Sequence, residues 1–505
     1  MTGDARVDPR VGLRLDDLVR ALPMSAEVAG DVRVRVTGVK HDSRGVAPGD
    51  LFVARMGTRA DGAAFAVDAI ARGARAVLAR RGAVDPVVLG VPAVFVDDPA
   101  RALAYAASVI YGRPSMALDV VGITGTNGKT TTAYLVQAAV DGALGRPACG
   151  ILGTIEQRFG EWSVPADRTT PEADDIARTL ATMRDRGASY AAMEISSHAL
   201  ALDRVRGIRF RALALTNVTQ DHLDFHGSME AYARTKASLF EEYGPAAAVL
   251  NVDDAVGREL ASRLQAPLRV SARLGADTDV AVRSSRVDAA GIDALVGTPK
   301  GDVTITSRLL GAHNLDNLVL ALGIAVAVGL DPGAAGAALS RAPGAPGRLE
   351  RCDEPGDDIM VLVDYAHTPD ALGRVLDAVR GACAGRILCV FGCGGDRDRT
   401  KRQPMGEVVG RRADVAIVTS DNPRSEDPST IADAVARGVS AAAGQLVVEL
   451  GRADAIELAI RSARPGDAVL IAGKGHETVQ VVGAEKRPFD DRVEARRALA
   501  RRRGM

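Results

Sequence analysis

The sequence predicts an α/β chain in which mostly parallel sheets are covered by helices, divided into three regions. Three observations carry this. Short apolar runs alternate with helical patterns over most of the chain, which is the signature of βαβ units. Aromatic residues make up only 3% while Ala, Gly, Val and Arg abound, a composition that suits α/β layers better than a β-sandwich. The 505 residues are enough for two to four domains, each with its own core.

The elements follow in order. Residues 1–97 hold short strands, such as the run Asp50-Leu-Phe-Val-Ala, and an alanine-rich helical stretch ending AIARGARAVLARR. From 98 to 346, the runs VVGIT, YAAMEIS, ALALTNV and AAAVLNVDD alternate with helical patterns, as in a mostly parallel sheet with helices on both faces. The Pro/Gly-rich stretch RAPGAPGRLE at 341–350 reads as a linker. A second alternating set, IMVLVDYA, RILCVFG, ADVAIVTS and DAVLIAGKG, fills 347–505. Thr368-Pro369 and Asp427-Pro428 each put a capping residue before a proline, which marks a helix start. No internal repeat or low-complexity tract interrupts the pattern.

A formal net charge of −1 gives no broad electrostatic surface for nucleic acid. The N-terminal stretch mixes Asp with Arg and lacks an apolar signal segment, and no run is long enough to span a bilayer, so no membrane insertion is expected. Cys149, Cys352, Cys383, Cys389 and Cys393 are odd in number and lack C-x-x-C spacing. They read as free thiols in a reducing, cytoplasmic setting.

The clearest chemical signal is VVGITGTNGKTTT at 120–132. An apolar strand breaks into a Gly/Thr/Asn loop and continues as a helix from Thr130, the context of a phosphate-binding loop. Backbone N–H groups converge on an anion there, Lys129 adds a mobile positive charge, and the Thr130 hydroxyl can reach a phosphate-bound Mg²⁺. The spacing G-T-N-G-K-T is tighter than the usual G-x-x-x-x-G-K-[ST], which would need a glycine where this chain has Ile123.

Ligands of open α/β sheets sit beyond the carboxyl ends of the strands, and here those ends are polar. MEISSHAL brings Glu194, Ser196, Ser197 and His198; TNVTQDHLDFHG brings Asn217, Asp221, His222, Asp224 and His226. A carboxylate and an imidazole beside a triphosphate loop suggest Mg²⁺ ligation by Glu194 and His222, with Asp221, Asp224 and His226 as competitors. Lys236 falls in the middle of the apolar stripe Met229, Tyr232, Ala233, Leu239, Phe240. Either its stem lies on the core with the ammonium lifted into water, or its pKa is depressed and a neutral amine is available for chemistry.

GTNGKTTT, MEISSHAL, TNVTQDHLDFHGSMEAYARTK, GAHNLDN, DYAHTPDAL, FGCGGDRDRTKR, DNPRSEDP and AGKGHE, in that order, resemble the Mur ligase family from His41-Asp42-Ser43-Arg44 nearly to the C-terminus. The resemblance implies three domains: 1–97 for the UDP part of the substrate, 98–346 as a central P-loop-type ATPase, and 347–505 as a Rossmann-like domain bringing the amino acid. It implies ATP-dependent amide formation through an acyl phosphate. The substrates would be UDP-N-acetylmuramoyl-L-alanyl-D-glutamate and meso-2,6-diaminopimelate. Lys129, Glu194, His222 and Lys236 would carry the chemistry, with Lys236 carbamylated by CO₂ and Thr130, Glu194, His222 and Lys236 around Mg²⁺. ATP would meet the loop Gly125, Thr126, Asn127, Gly128, Lys129, Thr130 and Thr131, together with Asn314, Arg348 and Asp364. Ser43, Thr58, Arg59 and Ala60 would meet the UDP-sugar, and Thr169, Thr170, Ser196 and Arg204 the muramoyl dipeptide. Arg397, Asp421, Asn422, Pro423, Arg424, Gly473 and Glu477 would form the diaminopimelate pocket. Arg424 offers a planar fork to the extra carboxylate that separates diaminopimelate from lysine, the substrate of the alternative lysine-adding ligases. A folylpolyglutamate synthase-like ligase is the other alternative. Arg168 and Leu202 depart from the family, standing where relatives often carry Asn and Gln.

Overall fold

In the computed structural model, which describes residues 12–57, 60–442 and 445–504, the chain forms two compact units. One runs to Val270 and takes in Gly323–Asp331; the other comprises Ser271–Leu322 and the chain from Pro332 onward. Among the described residues no helix is long and apolar enough to cross a membrane.

Besides the two-stranded pair Leu13–Arg14 and Arg35–Val36, the described residues of the first unit form two larger sheets. The smaller has the spatial order Ala26–Ala29, Ala93–Val96, Ala76–Arg80, Asp50–Ala54, Gly38–Lys40, all parallel except the first pair. The run Asp50–Ala54 is buried along its whole length, as its apolar composition requires. The stretch AIARGARAVLARR is not one helix: the helix ends at Ala71, Gly73 turns the chain at φ 106°, and Ala76–Arg80 is a strand. Burial between two neighbouring strands overrides the helical preference of its alanines.

The larger sheet of this unit runs Trp162–Pro165, Glu156–Phe159, Cys149–Leu152, Tyr190–Glu194, Asp119–Thr124, Phe210–Leu215, Ala247–Asn251, Leu268–Ser271. From Cys149–Leu152 onward the neighbours are parallel. The near-continuous apolar run of Asp119–Thr124 is buried on both faces, as a central parallel strand demands. The chain first moves to one side of this strand and later returns on its other side with Phe210–Leu215. The carboxyl end of Asp119–Thr124 is therefore the switch point where such sheets bind ligands.

The second unit contains an antiparallel meander, Val280–Asp288, Gly291–Thr298 and Gly301–Ser307, and a six-stranded sheet. The sheet order is Glu350–Arg351, Met360–Asp364, Ala468–Ala472, Ile387–Phe391, Val415–Val418, Gln445–Val448, parallel after the first pair. Alternate residues sort into two cores. Leu362, Cys389 and Leu470 pack under the helices Pro369–Ala382, Arg402–Arg412 and Pro428–Ala441; Val363, Val390 and Ile471 pack under Arg452–Ser462 and Asp491–Arg503. Thr368 and Asp427 cap their helices from the backbone N–H of Ala371 and Ser429, with proline at the first helical position. The stretch read as a linker is a packed loop: Ala342, Ala345 and Leu349 are buried, and Leu349 N–H donates to Asp364 Oδ2 at 2.7 Å.

Candidate active site

In the first unit, three strand ends assemble the phosphate loop. Asp119–Thr124 runs into Gly125, which has φ 145° and packs so tightly that a Cβ would lie 1.8 Å from Thr216 Oγ1. Only glycine fits. Thr126 N–H donates to Asn217 O at 2.7 Å and Asn127 N–H to Asn217 Oδ1 at 3.0 Å, so the next strand end braces the loop. The helix Lys129–Leu144 starts one residue before the sequence suggests, with Gly128 at φ 85° leading into it and Thr130 and Thr131 buried in its first turn.

Glu194 ends the strand on the other side and is 1% exposed. Its Oε2 accepts from Thr130 Oγ1 at 2.8 Å, its Oε1 from Thr154 N at 2.8 Å, and Thr154 Oγ1 lies 3.0 Å from Oε2. A buried carboxylate thus shares a threonine hydroxyl with the phosphate loop, a hard-oxygen pair of the kind Mg²⁺ prefers. Thr154, which no motif singled out, is what makes the carboxylate tolerable there.

Lys236 lies on the helix Met229–Glu242 and is 1% exposed, so it does not lift its head into water. Nζ donates to Gly125 O at 2.9 Å and sits 4.6 Å from the Tyr232 ring centroid. Lys129 Nζ donates to the same Gly125 O at 2.8 Å and to Thr126 O at 2.9 Å. Burial first, and the Lys129 charge second, push the Lys236 pKa well below the ordinary 10.5. The second of the two sequence readings, the neutral amine, is the one this environment supports.

His222 is half exposed, has φ 52°, faces Asp221 Oδ2 at 3.5 Å and stacks edge-on with His198 at 4.8 Å. Burial, then the neighbouring His222, lowers the His198 pKa. His226 instead meets Ser197 Oγ at 2.9 Å. Among the described residues no three His, Cys, Asp or Glu side chains converge as a metal-ligand group, so Glu194 and His222 belong to no ready three-ligand centre.

The residues expected to meet the dipeptide cluster beside Glu194. Thr170 Oγ1 donates to Glu194 O at 2.9 Å and accepts from Ser196 N at 2.9 Å; Thr169 Oγ1 meets Thr154 Oγ1 at 3.1 Å. Arg204 donates to Thr170 O at 3.3 Å and pairs with buried Glu172 at 2.8 Å. Arg55 and Arg168 also pair with Glu172, so the departure Arg168 adds a third guanidinium to one carboxylate. Ser43 is buried. Ala60 O accepts from Gly57 N at 3.0 Å. Thr58 and Arg59 lie outside the described residues.

In the second unit, Asp364 ends the strand Met360–Asp364 and takes the N–H groups of Leu349 and Ala366 at 2.7 Å each. Burial raises its pKa against the pull of Arg348, whose guanidinium lies 5.0 Å from the Tyr365 ring centroid and whose Nε is buried without a hydrogen-bond partner. Asn314 is buried, donating to Leu310 O at 2.8 Å and accepting from Asn317 at 3.0 Å.

Four parallel strand ends of this unit surround a cavity of about 290 Å³. It is lined by Arg397, Asp421, Asn422, Arg424, Gly473 and Glu477, all anticipated in this pocket, and by Tyr365, His367, Gly392, Cys393, Gly394 and Lys401, which the sequence reading did not assign to it. Pro423 is not part of the lining; it supports the wall, packing against Gly395. Arg424 is held by Gly395 O at 2.7 Å, and Asn422 Nδ2 donates to Glu477 Oε2 at 2.9 Å. Both charge signs face the space, as a zwitterion requires.

Comparison with known proteins decides the family. The Mur ligase family catalytic domain matches residues 35–120, the Mur ligase middle domain 123–325, and the Mur ligase glutamate ligase domain 347–475. A UDP-N-acetylmuramoyl-L-alanyl-D-glutamate–2,6-diaminopimelate ligase of Gloeobacter violaceus is 44% identical over 492 residues, covering 97% of this chain and 99% of the relative. The chain belongs to the Mur ligase family. A second relative of the same name, from Geobacter metallireducens, is 45% identical over 514 residues, covering 96% and 98%. A solved structure of a protein of that name superposes with a TM-score of 0.71 at 30% identity, covering 97% of this Mur ligase and 99% of that chain. All five cysteines of this Mur ligase are free and buried; burial raises the Cys393 thiol to about 11, so it enters the cavity as an inert wall atom.

Proposed function

We propose that this Mur ligase adds meso-2,6-diaminopimelate to the D-glutamyl γ-carboxylate of UDP-N-acetylmuramoyl-L-alanyl-D-glutamate with hydrolysis of ATP to ADP and phosphate, in the cytoplasm, for cell-wall precursor synthesis. Residues 1–97 would hold the UDP part, 98–346 the nucleotide and 347–505 the amino acid. The observation that carries the reading is the buried Lys236 beside the phosphate loop. A hydrolase loop has no use for such a lysine, whereas a neutral amine there can take up CO₂, forming an N–C bond and releasing a proton, to become a carboxylate-like ligand.

The reaction has two steps. The acceptor carboxylate attacks the γ-phosphorus of ATP, giving an acyl phosphate and ADP. The amine of the incoming amino acid then attacks the acyl carbon, and phosphate leaves with the bonding electrons. The first step brings two anions together, so positioning and positive charge dominate. Lys129 and the loop amides supply both, while Asn314, Arg348 and Asp364 would serve the nucleotide. Thr130, Glu194, carbamylated Lys236 and His222 would hold Mg²⁺, which supplies further charge neutralisation at the phosphates. Arg204, Thr170 and Ser196 would orient the acceptor.

Mass spectrometry of the product from ATP, the UDP-linked dipeptide and a panel of amino acids tests the reading; a product with any amino acid in preference to diaminopimelate refutes it. Lys236→Ala should lose ligation and regain part of it with a short carboxylate such as acetate. Wild-type activity in that variant without additive would sink the carbamate.

A further inference from the structure

Lys474 is 0% exposed, as buried as any charged residue of the chain. It stands on the turn directly after the fully buried strand Ala468–Ala472. Unlike Lys236 it is surrounded by acceptors: Nζ lies 2.7 Å from Val479 O, 2.9 Å from Glu477 Oε2 and 3.2 Å from Asn422 Oδ1. Three N–H donors meet three oxygens, one of them anionic, which is what permits an ammonium in such a place. The acceptors come from separate parts of the cavity wall. Asn422 is on the loop after Val415–Val418, Glu477 is on the lysine's own loop, and Val479 opens the hairpin Val479–Val482/Glu485–Pro488.

We propose that Lys474 is a positioning residue for the amino-acid substrate that sets the polarity of the cavity, fixing Asn422 as an N–H donor and Glu477 as the charged acceptor. The inference rests on the reading of this cavity as the amino-acid site. Asn422 Oδ1 is taken by Lys474 and by Val481 N–H at 2.9 Å, so the carboxamide must turn Nδ2 toward Glu477 and the cavity. Flipping it would set the amide NH₂ against the ammonium. A ligand carboxylate therefore finds Asn422 Nδ2 and the Arg424 guanidinium, and a ligand ammonium finds Glu477. Burial by itself would raise the Glu477 pKa, but Lys474 and the Asn422 hydrogen bond hold it below the usual range. The other groups facing this pair are Asp421 and Arg424 on the Asn422 loop, His476 on its own loop, Tyr365 and His367, Arg397 and Lys401, and buried Arg452 beneath. All remain when Lys474 alone is changed.

The test compares Lys474→Met and Lys474→Arg with the wild-type enzyme in steady-state kinetics between pH 5 and 8, varying each substrate in turn. Lys474→Met should raise the KM for diaminopimelate about ten- to hundred-fold, far more than kcat falls, and leave the KM for ATP and for the UDP-linked dipeptide near wild type. The acid limb of kcat/KM for diaminopimelate should move to higher pH, because Glu477 loses the charge that keeps it ionised. Lys474→Arg should keep the acid limb in place while raising that one KM, and it carries the test if the Met variant does not fold. Unchanged diaminopimelate KM and acid limb, or equal rises in all three KM values, overturn the proposal. A wild-type enzyme indifferent to diaminopimelate would instead overturn the reading of the site.

Discussion

Replacing Lys236 by Met tests whether the buried amine is neutral in the folded chain. Methionine matches the length of the lysine stem and suits the stripe of Tyr232, Leu239 and Phe240, so the helix Met229–Glu242 should keep its packing. In the unfolded chain a lysine titrates near ~10.4. In the folded chain burial and Lys129 hold Lys236 well below that. Between the two values the unfolded state binds one more proton than the folded state, so stability rises with pH. This contribution is complete above the unfolded pKa and is lost as the pH falls toward the folded one. While the amine stays neutral, the wild-type protein should gain about 1.4 kcal/mol per pH unit relative to Lys236→Met, or about 2.7 kcal/mol from pH 7 to 9. The lost hydrogen bond to Gly125 O is independent of pH and drops out of the slope, as do all groups common to both proteins. The assay is urea unfolding in CO₂-free buffer at several pH values, followed by the single tryptophan, Trp162, whose strand lies in the same unit as Lys236. A difference between the proteins that stays constant from pH 7 to 9 would mean that the buried lysine is an ammonium, and the argument for its chemistry would fail.

Lys129→Ala should abolish ADP formation, read by a coupled assay, while UDP-substrate binding measured by calorimetry survives; ADP release at the wild-type rate would show that the loop lysine is misassigned. Arg424→Ala should lower kcat/KM for diaminopimelate by about 30- to 150-fold, the equivalent of roughly 2–3 kcal/mol for a half-buried charge partner, and narrow the advantage over lysine. An unchanged ratio for the two amino acids would place the selectivity elsewhere. Thr154→Val removes a hydroxyl 3.0 Å from buried Glu194 and should cost about 1–3 kcal/mol of stability by thermal unfolding, together with most of the activity.

The phosphate loop was legible because its residues are contiguous and each does its work through the backbone or through one side chain. Lys236 was legible as an anomaly, but its state was not. Helical spacing says that the residue faces the core; it cannot say that Gly125 and Tyr232 close the path to water which a long stem would otherwise use. The misread stretch AIARGARAVLARR has the same origin, since alanine favours helix locally and only the neighbouring strands made Ala76–Arg80 extended. That Tyr365, His367, Cys393 and Lys401 share one cavity could not be found from spacing. They meet because Ala468–Ala472 inserts between Met360–Asp364 and Ile387–Phe391, an order that sequence does not carry. Lys474 did leave a signal, a lysine one glycine after five buried apolar residues, the same kind of misplacement that drew attention to Lys236.

Those two lysines show why the surroundings, and not the residue type, set the role. Both are buried as fully as a leucine would be, and burial alone disfavours the ammonium in each. At Lys236 the groups around Nζ are a carbonyl, an aromatic face and a second cation, and the more distant Asp221 charge does not outweigh the lost hydration, so the proton is the part that leaves. At Lys474 a carboxylate, an amide oxygen and a carbonyl stand within hydrogen-bond distance of Nζ, the partners that a buried ammonium needs. The first arrangement gives a nucleophilic amine with no ion pair to break before it can react. The second gives a fixed charge whose three bonds would all have to be surrendered for any reaction, so its influence can only be exerted through the groups it holds.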